Sequence, residues 1–317
     1  MRDLLRSPLV RVWLPVLAAA AAVASLDRGT DPGDLTYFVH KGEHLLSSGW
    51  ADTFADPRLQ SGPLQLIVFG AVRNFTALAF LIELGVASLL LYVLGRLGTG
   101  DRVRLAVGLL AVASGLGHGA FVDGHPAEAI VPLLWVLAGL WAREDRVVAA
   151  GALVGLSAGL ELWGVLGAPV LLFAPRVRRA AVGGLAEAAV VIALLAPFAL
   201  AGTFRMFQHE WSVATGTLLS VVVEPGTHFG WPLRLLQASL ALGAGAVVAL
   251  KLRPSLHAVW LVPLAAVVVR VLLDPLSFGW YWLEALALVL TGAALVLDAL
   301  PGRFARTAAP LHRSVAK

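Results

Sequence analysis

The stretch DPGDLTYFVHKGEHLLSSGWADTF, residues 31–54, gathers acids, two histidines, a lysine and a tryptophan between an apolar run that ends near residue 26 and a long series of others. What surrounds this polar island decides the fold. Of the 317 residues, 59% are hydrophobic and only 14% charged, against about one-quarter charged in soluble domains, and the mean hydropathy is +0.83. A hydrocarbon core of about 30 Å takes roughly 20 apolar residues per helix, and such runs recur from Leu9 to Leu297 with short polar breaks. The chain therefore reads as an all-α, polytopic transmembrane helix bundle of about 10 spans. It is a single integral membrane domain over 1–317, without room for a separate soluble domain. Cysteine is absent, which excludes disulfides, thiolate metal sites and thiol catalysis.

Spans are expected near 9–26, 75–95, 104–121, 126–142, 147–160, 162–174, 182–201, 232–250, 255–273 and 280–298. The first has the basic flank and Ala-x-Ala-like end of a signal peptide; its apolar part is long for one, and an uncleaved first span is expected. The stretch GPLQLIVFGAVR, 62–73, is too short to cross and reads either as a re-entrant or interfacial segment or as an extension of the second span. Segments 147–160 and 162–174 are also short. Arg143 and Arg146 precede them and Arg176, Arg178 and Arg179 follow, so the chain is expected to leave and return on one side.

With the N terminus inside, 17 of the 24 Lys and Arg residues fall on inner segments, the last of them the basic tail 299–317, as the positive-inside rule requires. Both termini are then cytoplasmic, and the basic balance needs no nucleic acid partner. The 27–62 loop, with its amphipathic helix, and the 202–231 loop face outward. So do Asp123 and His125, Glu161, Arg205, His209, Glu210, Glu224, His228 and Asp274. Three lysines against many arginines, with abundant Ala, Gly, Leu and Val, point to a GC-rich bacterial genome and a plasma-membrane location.

The text GDLTYFVHKGEHLLSSGW followed by LQSGPLQL, then DGHPAEAIVPLLWVLAGLWARED and AAGALVGLSAGLELWGVLGAPVLLFAP, resembles the GT-C superfamily of membrane glycosyltransferases. The likeness is to its bacterial polyprenol-phosphate-mannose-dependent mannosyltransferases. It covers most of the chain, although relatives often carry a lysine where Glu161 stands. The resemblance implies a bundle of GT-C type with an extracytoplasmic first loop. It also implies transfer of a mannose-like sugar from a polyprenyl-phosphate donor to a lipid or glycan acceptor. The glycine-rich stretches follow no strand and contain no phosphate-loop pattern, which agrees with a lipid-borne donor and no cofactor.

Inverting transfer needs a carboxylate to take the acceptor proton and donors to stabilise the departing phosphate. Asp34, at the family-like position, is the first candidate base and Asp31 the second; either also suits capping of the helix that follows. Asp123 and His125 form a turn before a helix N terminus at Pro126, which suits a phosphate or an acceptor hydroxyl, or a simple capped turn. Glu161 and Arg270 are ionisable groups in apolar surroundings, which favours a cavity, with Arg270 a phosphate ligand. Glu83 is expected to be a buried hydrogen-bonding partner, and His118 to line the same cavity as His125. Arg205 and Arg234 suit a lipid phosphate, with His209 and His228 beside them. The tryptophans suit sugar stacking or interface anchoring. His40 and His44 have a metal-compatible spacing on a wet helix face, and no metal is expected. The polar groups gather on one face and no internal repeat is evident, which favours transfer over a transporter or an inactive accessory protein.

Overall fold

Backbone groups in hydrocarbon must be satisfied within their own segment, and these apolar runs do so as helices. The computed structural model describes residues 7–30, 32–208 and 211–307. Among them no β-strand forms, only isolated bridges between Ser61 and Glu161 and between Ser212 and His228. The helices are α1 (Leu9–Leu26), α2 (Leu35–Leu45), α3 (Pro63–Val72), α4 (Phe75–Arg96), α5 (Asp101–Ala113), α6 (Leu116–Val122), α7 (Pro126–Arg143) and α8 (Val147–Leu160). A 3-10 helix (Leu162–Phe173), α9 (Val177–Ala201), α10 (Trp231–Leu252), α11 (Ala258–Leu272) and α12 (Trp282–Thr307) complete them. Seven stretches are long and apolar enough to cross a membrane: α1, α4, α5 with α6 (Asp101–Val122), α7, α9, α10 and Gly279–Leu300. Four further apolar helices, α3, α8, the 3-10 helix and α11, are shorter. All ten expected spans are thus helical, but three of them are short.

The bundle is built around α7, which is 78% buried, whereas the spans of α9 and α10 are 17% buried. Leu185, Leu200, Leu235 and Leu250 stand exposed on those two helices. Contiguous outward apolar surface of this extent is foreign to water-soluble monomers and matches contact with hydrocarbon.

The stretch 62–73 forms the separate helix α3 and does not extend the next span. Arg73 takes a positive φ of 56°, which ends α3, and the Asn74 side chain then accepts a hydrogen bond from the Ala77 N–H at 2.9 Å to cap α4. Helices α2 and α3 lie backbone to backbone: a Cβ on Gly42 would stand 2.2 Å from the Leu66 carbonyl oxygen. Helix α2, from the polar 27–62 loop, is therefore packed onto an apolar element.

Segment 147–174 is two arms. Glu161 is extended (φ −142°, ψ 138°) and stops α8; the 3-10 helix that follows is 12 residues long, well beyond the usual three or four. The central helix holds both arms, since the Trp135 indole N–H is shared between Ser157 Oγ at 3.1 Å and the Gly164 carbonyl at 2.9 Å. Beyond the second arm, Arg179 donates to Asp145 Oδ1 at 2.9 Å, so the hairpin leaves and returns at one end of the bundle, as the flanking arginines imply.

Two sets of loops result, and their contacts stay separate. At one end, Tyr37 donates to Asp56 at 3.0 Å, Gln60 to the Met206 carbonyl at 2.9 Å and the Ala214 N–H to the Pro275 carbonyl at 2.8 Å. At the other, Arg96 pairs with Glu144, Arg143 with the Arg253 and Ser255 carbonyls, and the Gly100 N–H with Asp298. The first end carries the site.

Candidate functional site

A cavity of about 620 Å³ opens among the loops of that end, walled by the first turns of α2 and α7, the hairpin tip, α10, and the 274–281 segment. Its ionisable wall groups are Asp34, Arg58, His125, Glu128, Glu161, Arg234, Arg270 and Asp274, four acids and four bases, and aromatic rings fill much of the rest. A volume of this size suits a small polar ligand.

Asp34 occupies the N-cap position of α2, yet its side chain makes no cap hydrogen bond. Its Oδ2 instead meets His125 Nε2 at 3.1 Å. Hydrogen bonding to His125 holds the Asp34 carboxyl below its ordinary value of 3.8, against a smaller upward push from burial. For His125, burial alone would lower the imidazole; the Asp34 hydrogen bond and the Glu161 and Glu128 charges outweigh it and raise the group above 6.5. The ring is fixed as well, stacked on Trp280 at 4.8 Å and 7° and met edge-on by Phe38 at 5.5 Å. Asp34 remains 59% exposed at the side chain, whereas His125 is 14% exposed. A carboxylate is thus presented to the cavity while its partner is locked behind it.

The turn between α6 and α7 brings these groups together. Gly124 has a φ of +82°, and a Cβ there would fall 2.4 Å from the Leu35 amide nitrogen, so only glycine lets the turn lie directly on the start of α2. Asp123 contributes backbone to this contact, its carbonyl 2.9 Å from the Cβ position of Gly33, and its side chain does not line the cavity. Burial raises its carboxyl above the ordinary value, opposed by His125 and His118. The helix N terminus at Pro126 carries Glu128 in its first turn, so the dipole end already has a protein carboxylate beside it.

Deeper in the wall, Arg270 is paired with Glu284 and, at 3.4 Å, with Glu128. Trp163 and Tyr281 lie over its guanidinium at 4.4 and 5.1 Å. All three charged side chains are buried. The expected phosphate ligand is therefore already committed to two carboxylates. Arg234 also reaches the cavity, resting over Phe229 at 5.7 Å, and its Nε has no hydrogen-bond partner among the described residues. Glu161 does line the cavity, buried at the hairpin tip, where Gln65 donates to it at 3.4 Å and to Ser61 Oγ at 2.7 Å.

The remaining expectations separate. Arg205 is bound to Gln208 at 2.7 Å and does not line the cavity, nor does His228, whose ring packs on Gly230. Asp31 and His209 lie outside the described residues. His118 lies outside the wall and contacts Asp27 at 2.9 Å. His40 meets Glu43 at 3.7 Å and His44 packs on Gly49, so the two histidines share no ligand geometry. Glu128 had not been singled out by sequence reasoning; an acid in the first turn of an otherwise apolar span was the available signal. Tyr37 and Asp56 were also unforeseen. Burial alone would raise Asp56, but the Arg58 backbone and guanidinium, Tyr37 and Lys41 hold it far below the usual carboxylate range.

No family model matches the sequence, and comparison with curated proteins and with solved structures gives no match.

Proposed function

We propose that the chain is a membrane glycosyltransferase of GT-C type that takes a mannose-like sugar from a polyprenyl-phosphate donor. The sugar passes to a lipid or glycan acceptor on the extracytoplasmic side of a bacterial plasma membrane. The observation that carries this reading is the Asp34 carboxylate, held ionised by a fixed His125, at the rim of an aromatic-walled cavity beside membrane-type helices. The distribution of Lys and Arg between the two loop sets supports the orientation, with both termini cytoplasmic.

In the reaction, the acceptor oxygen forms a bond to the anomeric carbon while the bond from that carbon to the phosphate oxygen breaks. The electron pair leaves with the polyprenyl phosphate, and Asp34 takes the acceptor proton. Arg234 faces the departing phosphate, and wall rings such as Trp231 offer an apolar face to the sugar. Glu161 and its Gln65 partner supply hydrogen-bonding groups at the cavity floor. Arg270, neutralised by Glu128 and Glu284, keeps that floor in place.

The test is transfer of a labelled sugar from polyprenyl-phosphate donors to a lipid extract by purified protein. Asp34→Asn, with unchanged elution and melting behaviour, should lower transfer about 100-fold or more. Equal transfer by both proteins removes Asp34 from the mechanism; absence of transfer by wild type with any polyprenyl donor overturns the assignment.

A further inference from the structure

Away from the cavity, three ionisable side chains from separate elements converge. Asp27 ends α1, Glu83 projects from α4 and His118 from α6, and one ligand atom of each lies within 4.8 Å of the others. Asp27 and Glu83 are 4% and 2% exposed. His118 Nδ1 meets Asp27 Oδ1 at 2.9 Å with the imidazole 48% exposed, so the cluster opens to the surface through that ring. Asp27 Oδ2 and Glu83 Oε1 are buried without a hydrogen-bond partner among the described residues. Arg28 is the adjacent cationic residue in sequence, but its side chain is exposed.

Two buried carboxylates with unpartnered oxygens at this separation demand a neutralising species. We infer that Asp27, Glu83 and His118 form a site for one divalent cation of the zinc or manganese class. The donor set is chemically mixed: carboxylates suit hard cations, and imidazole favours the first-row transition metals over magnesium or calcium. The spacing is compatible, because ligands on one cation bound at about 2.0–2.3 Å stand roughly 3.3–4.6 Å apart, and the three atoms here lie within 4.8 Å of one another. Glycine at 117 keeps the space open; a Cβ there would come within 2.3 Å of Glu83 Oε2. The half-exposed imidazole leaves a water path for further ligands. The cation would tie α1 and α4 to α6, the short helix that runs directly into the Asp123–His125 turn. It is a structural cation, separate from the cavity and independent of the sugar-transfer assignment.

The experiment uses the full chain in detergent, stripped with chelator, then equilibrated with zinc or manganese and freed of excess. Metal content by mass spectrometry should return to about one ion per chain, with a rise in melting temperature of about 5 °C. His118→Ala, at a half-exposed position that tolerates truncation, and Glu83→Gln should each abolish retention and the temperature rise while eluting as wild type. His40→Ala should retain the ion. Failure of wild type to retain either metal, or retention by both His118→Ala and Glu83→Gln, overturns the site.

Discussion

Two pairs of buried carboxylates sit in this bundle, and they are treated differently. Glu128 and Glu284 share the guanidinium of Arg270, which reaches both, and two aromatic rings cover its faces. Asp27 and Glu83 have only His118, which touches Asp27 and leaves Glu83 unpartnered. A buried acid cannot remain ionised beside apolar helices without compensation. In the first cluster the chain encodes its own cation and the cavity floor is complete on folding. In the second it encodes only the ligands.

The largest expected effect tests the first cluster. Arg270→Leu strands two acids, and a buried pair broken in this way costs roughly 3–5 kcal/mol; the variant should lose folded yield and several degrees of melting temperature. Adding Glu128→Gln and Glu284→Gln to it should restore most of the loss, because it is the uncompensated charge that destabilises. If Arg270→Leu alone melts as wild type does, Arg270 is not what compensates the two acids and the comparison breaks. In cation-free protein, Glu83→Gln should move stability the opposite way, giving a small gain measurable by thermal unfolding.

A smaller effect is set by pH at the Asp34–His125 pair. His125 is raised above its ordinary 6.5, so its contribution is complete below that value and lost as pH rises through the higher folded one. Asp34 is lowered, so its contribution is complete above 3.8 and lost only as pH falls through the still lower folded value. The melting temperature of wild type should therefore decline by a few degrees on the alkaline side of 6.5, and His125→Gln should flatten that limb. An unchanged limb in the variant would assign it to other groups. The smallest effect is expected at His40 and His44, where the double alanine variant should shift stability by no more than about 0.5 kcal/mol, since neither ring joins a buried network.

Much of the architecture was legible because membrane helices are specified by length and apolarity, which a single sequence displays. The separation of α3 from α4 was one of two readings that the sequence left open, as it depends on the positive φ of Arg73. The hairpin was legible through its flanking arginines, one of which, Arg179, pairs with Asp145 where the chain enters the hairpin. The cavity was legible only residue by residue. Asp34 and His125 each stood out, but 91 positions separate them, and nothing local says that an Asp at a helix start will turn from its own backbone to a distant ring. Arg270 was read as a free cation because its partners lie 14 positions ahead and 142 behind. Long-range neutralisation of this kind leaves no spacing pattern, and the same holds for Asp27 with Glu83.

The distance between Glu128 and Arg270 also carries a consequence for synthesis. The acid is made 142 residues before its counter-ion, and at about 5–20 residues per second the ribosome takes roughly 7 to 30 s to supply it. During that interval Glu128 has no guanidinium to pair with, until α11 emerges. Glu284 then arrives with the last helix. A ribosome that stops before α11 leaves a nascent chain with an unmatched acid in its central helix.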